Sequence, residues 1–362
     1  MQPVRLIRAT VTSKHIFSTL ASMNYNDEKE LLLLEQKLYS GYELEKTEVE
    51  ALLNLPDPEA LYDLAHRVTE HFRQREFDTC SILSAKVGNC PEDCKWCAQS
   101  AHYNTQIERQ PLVELPKALA YARKLVEQGV RRYSLVASGR RLTTKEVDAL
   151  AVIYKGIHAA CPTLRLCASL GLLTESQLAV LHEAGVSTYH CNLESAPSFF
   201  PMLCTTHTQA QKEETIRAAR RVGMQICCGG IMGTGETQAQ RIEFAFYLRS
   251  IGSLSIPINI LQPIKGTPLE ATPPLSEKEI LKTIALFRLS NPRAYLRFSG
   301  GRMQLSATAQ SKAIYIGINA AITGDFLTTT GQSVTQDLAM IASCGKENMG
   351  RDWELESDAS LF

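Results

Sequence analysis

Cys90-Pro91-Glu92-Asp93-Cys94-Lys95-Trp96-Cys97, followed at once by Ala98-Gln99-Ser100, is the stretch on which the reading of this chain turns. Its cysteines are spaced by three and then two residues, in a segment punctuated by Gly88 and Pro91. The backbone must loop there and can aim three sulfurs at one point. Three thiolates do not close the tetrahedral shell of structural zinc, and no His or fourth Cys stands within the next few residues. They can hold three irons of a [4Fe-4S] cluster and leave the fourth open to an exogenous ligand. A zinc knuckle completed from a distance, or buried apolar cysteines, are the alternatives. A polar loop holding three thiols favours the cluster.

Working outward, 362 residues with 44% hydrophobic content suit one large domain with a terminal extension, the size of an α/β barrel. The 38 basic and 38 acidic residues cancel and are well mixed. That excludes a nucleic-acid surface or polybasic membrane patch and leaves small-molecule chemistry. Eleven cysteines, with no secretory signal or long apolar span, point to the reducing cytoplasm rather than to a disulfide framework.

Residues 1–25 read as a disordered leader or an over-extended start with Met23 as initiator. Arg5, Arg8 and Lys14 without any acid also give this stretch the composition of a transit peptide. Residues 26–75 form a helical N-terminal cap, expected to cover one end of the barrel: Leu31 to Leu38, Leu52-Leu53 and Ala60-Leu61 mark three helices with plausible caps. From 76 to 330 a strand-plus-helix unit recurs at roughly 30-residue intervals. Strands are expected at 78–84, 131–137, 164–170, 187–193, 224–230, 255–261, 294–299 and about 318–323. Helices are expected at 113–128, 144–160, 174–184, 208–222, 236–251 and 276–290, several stopping on a glycine such as Gly252. Such alternation gives a parallel sheet, either a TIM-type (β/α)8 barrel or a doubly wound open sheet. Residues 331–362 are a polar, acidic C-terminal tail.

In a barrel, polar residues spaced by two on an apolar strand face the lumen. The rule turns Cys167 inward between Leu166 and Ala168, Cys227 inward between Ile226 and Cys228, and Arg297 inward between Leu296 and Phe298. It also turns Ser134, His190, Asn192, Glu194 and Asn259 inward. Such a lumen is costly unless a ligand satisfies it. Singly, a strand cysteine is more often a small core residue. Jointly, Cys167, Cys227 and Arg297 look like a second cluster site. Cys80, Cys161, Cys204 and Cys344 lack partner spacing and read as structural thiols.

CxxxCxxC with an aromatic, Trp96, before the last cysteine resembles the radical S-adenosylmethionine (SAM) enzymes. The longer string Cys-Pro-Glu-Asp-Cys-Lys-Trp-Cys-Ala-Gln-Ser is similar to the biotin synthase family in particular. The resemblance extends over roughly 75–330 through Cys-Ala-Ser-Leu-Gly (167–171), Asn192-Leu193-Glu194, Cys227-Cys228-Gly229-Gly230-Ile231, Gly233-Thr234-Gly235-Glu236-Thr237, Pro257-Ile258-Asn259, Lys265-Gly266-Thr267-Pro268 and Arg297-Phe298-Ser299-Gly300-Gly301-Arg302. It favours the barrel over the open sheet.

The resemblance implies a [4Fe-4S] cluster on Cys90, Cys94 and Cys97 that chelates SAM and makes 5′-deoxyadenosyl radicals. It implies sulfur insertion into dethiobiotin, between C6 and C9, with two SAM consumed per product. It further implies an auxiliary [2Fe-2S] cluster or variant on Cys167, Cys227, Arg297 and a fourth position. There the family pattern has Cys on the second strand and this chain has Ser134, a harder and less acidic donor. Cys191, standing where the family commonly has His, is the candidate substitute, although alternation turns it and Cys228 toward the helices. Trp96, Glu194, Gly229, Gly230 and Lys212 are expected at the cofactor, with Glu194 on the SAM ribose. Asn192 and Asn259 are expected on the ureido ring or SAM. Read as GxGxxG, the glycines after strand five have the wrong spacing for a dinucleotide site. Lys86 and Lys212 can meet a substrate carboxylate or stay solvated. A flavodoxin- or ferredoxin-type donor and a homodimer are implied as well. Other radical SAM enzymes of the hydrogenase-maturase or methylornithine-synthase type, and a non-catalytic metal carrier, are the rival readings.

Overall fold

The computed structural model describes residues 28–324 and 332–349. The expected leader 1–25 lies outside these residues. Three helices come first: α1 (Glu28–Tyr39), α2 (Lys46–Leu53) and α3 (Pro58–Arg73), the last started by the Asp57 carboxylate and a proline in its first turn. The strands are β1 (Glu76–Lys86), β2 (Arg132–Ala137), β3 (Arg165–Ser169), β4 (Val186–His190), β5 (Gln225–Cys227), β6 (Gly230–Met232), β7 (Ser255–Ile260), β8 (Tyr295–Phe298), β9 (Ile318–Ile322) and β10 (Glu347–Asn348). The barrel's helices are α4 (Leu115–Glu127), α5 (Thr144–Ala160), α6 (Glu175–Glu183), the single turn α7 (Phe200–Leu203), α8 (Gln209–Arg221), α9 (Gln238–Ile251), α10 (Glu277–Ser290) and α11 (Ala307–Ile316). α12 (Val334–Ser343) follows β9.

All ladders are parallel, and β1 pairs with β2 on one side and β9 on the other, so the sheet closes. Eight staves result, with β5 and β6 sharing the fifth. The expected continuous strand 224–230 is broken because Pro257 on β7 has no N–H to donate. β5 therefore meets β7 only at Cys227 and Ser255, and β6 resumes pairing at Gly230 and Ile258. Five barrel helices and α12 begin with a Ser/Thr cap closed by a Glu or Gln three residues on, as in Thr143 with Glu146 and Thr208 with Gln211. Outward strand residues such as Leu135, Leu166, Leu296 and Phe298 are fully buried against these helices. The apolar core is thus the layer between wall and helices, and the lumen is left for polar groups.

Two segments sit differently from the sequence reading. The N-terminal helices pack on the outside of the helical layer, α3 against α10 and α11. The end of α3 reaches the barrel floor, where Arg73 stacks 4.5 Å over the Tyr295 ring and Tyr295 donates to Glu76 at 2.9 Å. The segment beyond 331 is not featureless. β10 adds to the start of β1, and Asp337 of α12 takes two hydrogen bonds, 2.7 and 2.6 Å, from fully buried Arg302. That pair ties α12 beneath the turn after β8. Among the described residues no helix is long and apolar enough to cross a membrane.

Candidate active site

The cysteine loop leaves the C-terminal end of β1, the end at which barrels of this type carry their sites. Cys90 N–H donates to Gln99 O at 3.0 Å, Ala101 N–H to Cys90 O at 2.7 Å and Cys97 N–H to Cys94 O at 3.0 Å, so the backbone folds around the sulfurs. The two acids inside the motif dock it. Asp93 accepts from Thr205 N (2.8 Å), Thr206 N (3.2 Å) and the Cys204 thiol (3.2 Å), and Glu92 from Thr206 Oγ1 (2.7 Å) and His207 Nδ1. Burial alone would raise the Asp93 carboxyl, and those donors instead hold it well below the carboxylate range. Ser138, just beyond the end of β2, supports the loop by donating to Gly88 O at 2.7 Å.

Cys204 belongs to this assembly and is not the isolated structural thiol expected. Its Sγ lies 3.6 Å from that of Cys94 and 3.2 Å from His207 Nδ1. Among the described residues Cys94, Cys204 and His207 are the one trio whose donor atoms converge tightly enough for a single ion. The Cys90, Cys94 and Cys97 sulfurs do not form such a tight trio.

The lumen holds a cavity of about 350 Å³. Trp96 and Cys97 line its mouth, and Cys80, Cys167, Cys227 and Arg297 its deep part. Ser134, Asn192, Glu194 and Asn259 line it too, so alternation placed these residues correctly. At the bottom Asp78 accepts from Arg132 Nε (2.9 Å) and from Arg297 Nη2, all three being almost fully buried. Burial works against the Arg297 charge, and Asp78 outweighs it, holding the guanidinium above its ordinary range. Cys227 lies 3.3 Å from Ser255 Oγ, and burial pushes its thiol up to about 11. The donor set fits an iron–sulfur unit: soft thiols on separate staves around a fixed guanidinium, in a space that side chains leave open.

Other expected residues stand elsewhere. Cys191 turns its Sγ toward Lys212 O at 4.0 Å, in the helix-facing layer with Cys228, and does not reach the cavity. Lys212 donates to Asn192 O at 2.9 Å and does not line the cavity; burial would lower its ammonium, but Glu194 and nearby thiols hold it above its ordinary value. Lys86 is paired with Glu146 at 2.6 Å rather than free for a carboxylate. Gly229 and Gly230 do not line the cavity either. A Cβ on Gly229 would meet Pro257 O at 2.0 Å, and one on Gly230 would meet Glu194 O at 2.2 Å. Their close approach is to the protein's own backbone.

Both asparagines partly spend their amides on that same seam. Asn192 Oδ1 accepts from Gly229 N (3.0 Å), and Asn259 bridges Gly230 O and Gly300 N at 2.9 Å each. Glu194 sits at φ 73°, strained for a side chain of its size, and is held there by backbone bonds to Gly229 and Ile231. Burial raises its carboxyl. Gly230→Ala is therefore expected to lower stability by about 1–3 kcal/mol in a urea titration and to displace Glu194.

His190 lines the cavity and was not singled out as a site residue. Burial, helped by the Lys212 and Arg297 charges, pushes its imidazole down to about 4, so it is neutral at pH 7. An unfolded histidine titrates near 6.5. Between roughly pH 6.5 and 4 the unfolded chain takes the proton and the folded chain does not, so the contribution is complete above that window and is lost as pH falls through it. The thermal midpoint of the wild type should fall more between pH 7 and 5 than that of His190→Asn; equal falls would contradict this.

Residues 86–248 match the Radical SAM superfamily, and 257–347 match the Biotin and Thiamin Synthesis associated domain. Biotin synthase of Porphyromonas gingivalis is 57% identical over 326 residues, covering 90% of this chain and 98% of that protein. The biotin synthases of Parabacteroides distasonis (51%, covering 88% and 98%) and Clostridium tetani (43%, covering 87% and 97%) are similar along the same length. Among solved structures, methylornithine synthase superposes with TM-score 0.75 at 18% identity, covering 87% of this chain and 96% of that one. The FeFe-hydrogenase maturase of Carboxydothermus hydrogenoformans gives 0.73 at 18%, covering 92% and 82%. Those two share the barrel, whereas identity over almost the whole of both chains lies with the former group: the chain belongs to the biotin synthase family of radical SAM enzymes.

Proposed function

We propose that the protein converts dethiobiotin to biotin, with Cys90, Cys94 and Cys97 holding a [4Fe-4S] cluster and Cys167, Cys227 and Arg297 contributing to an auxiliary cluster that donates the sulfur. The observation that carries this reading is the meeting of the two sets on one cavity, Cys97 at its mouth and the lumen thiols at its floor. When bound, the four-iron group supplies the electron that splits the SAM sulfonium, giving methionine and a 5′-deoxyadenosyl radical that takes hydrogen from unactivated carbon. The chain positions and shields. Trp96 walls the SAM side of the mouth, and the Glu194 carboxylate, fixed by its strained backbone, accepts from the ribose hydroxyls. Asn192 and Asn259 offer the substrate their remaining amide valences. Ile82, Ile231, Ile260 and Ile322 line the same cavity and keep water from the path between its mouth and its floor. Neutral His190 places no proton donor of low pKa on the cavity wall.

The free thiols of all eleven cysteines suit a reducing cytoplasm, where a flavodoxin- or ferredoxin-type donor would reduce a homodimer. The test is turnover. Anaerobically reconstituted protein given reductant, SAM and dethiobiotin should form biotin, with one 5′-deoxyadenosine for each C–H bond broken. Deoxyadenosine released with dethiobiotin left unchanged would overturn the substrate assignment.

A further inference from the structure

The lumen contains a thiol that spacing had not marked. Cys80 stands on β1 between inward-facing Asp78 and Ile82, lines the deep part of the cavity and is 7% exposed. It pairs in register with Arg132, while Ser134, one inward step further along β2, pairs with Ile82 and with Cys167. Neighbouring inward positions on adjacent strands are about 7–8 Å apart, within the reach of one small cluster.

We propose that Cys80 supplies the thiolate missing at position 134, so that the auxiliary cluster is held by Cys80, Cys167, Cys227 and Arg297. The inference rests on the auxiliary-cluster reading above. Four observations carry it. Of the eleven cysteines, only Cys80, Cys97, Cys167 and Cys227 line the cavity, and Cys97 belongs to the loop at its mouth. Cys80 and Cys167 lie within hydrogen-bond reach of each other, thiol to thiol, on the wall of one cavity. All three deep thiols lie within electrostatic reach of Arg297. Finally, the buried trio of Asp78, Arg132 and Arg297 carries one negative and two positive charges, a surround that favours thiolates over a neutral serine hydroxyl. Loading at this set releases the thiol protons.

The protein is reconstituted anaerobically with iron and sulfide and examined by Mössbauer spectroscopy and iron analysis. Wild type should show two cluster components. Cys80→Ser should lose the auxiliary component and about two irons per chain while keeping the loop cluster, which also reports that the barrel has folded. Ser134→Ala should keep both, and the double variant Cys80→Ser/Ser134→Cys should regain the second. In native wild type, mapped alkylation should find Cys80 protected when loaded and reactive after chelation. Both components surviving in Cys80→Ser, loss of the auxiliary one in Ser134→Ala, or equal alkylation of Cys80 with and without iron would overturn the assignment. A wild type with only the loop component would instead remove the auxiliary-cluster reading itself.

Discussion

Cys97→Ala is expected to bring reductive cleavage of SAM down to the protein-free background, a loss of at least about a hundredfold, since even outer partners of a metal site cost about 10- to 100-fold and this residue would be a direct ligand. Of the loop cysteines it alone lines the cavity, so it links the loop to the lumen. Its thiol is pushed up to about 11 by burial, and its removal leaves two sulfurs and an open side facing the mouth. Cys161→Ala, which removes a buried thiol at the end of α5, should cleave SAM at close to the wild-type rate. Release of 5′-deoxyadenosine, read by chromatography, checks both.

The second large effect is on stability. Asp78→Leu takes away the carboxylate shared by Arg132 and Arg297 at the bottom of the barrel, where all three are almost fully buried. Removing one member of a buried charge network costs about 3–5 kcal/mol, because the opposite charge is left desolvated. Urea unfolding of the metal-free chain should show that loss. A change under about 1 kcal/mol would mean that the floor is not held by charge.

The parallel sheet and its inward face were legible because two periodicities coincide in the sequence, recurring strand-plus-helix units and inward polar residues every second position; the choice of a barrel over an open sheet came from the family resemblance. Cys167, Cys227, Arg297, Asn192 and Glu194 were placed on the lumen by alternation alone. The same rule applied to 78–84 puts Asp78, Cys80 and Ile82 on one inward face. Cys80 was missed because thiols without a motif spacing were set aside before their strand face was considered. Other misses have different causes. Nothing local in Thr205-Thr206-His207 signals that this segment receives the carboxylates of Glu92 and Asp93, since the contact spans more than 110 residues. Gly229 and Gly230 were assigned to the cofactor because glycine reports a close approach without saying what approaches; the partners are Pro257 and Glu194. The tail beyond 331 was misjudged because the buried partner of Asp337 is Arg302, beyond the reach of composition.

The central claim is that the loop from Cys90 to Cys97 holds a cluster with one iron open to SAM. Anaerobically reconstituted protein, given a strong reductant and SAM, should release methionine and 5′-deoxyadenosine in equal amounts, read by mass spectrometry. Protein that instead carries zinc on Cys94, Cys204 and His207, or carries iron and leaves SAM intact under reductant, would contradict the account.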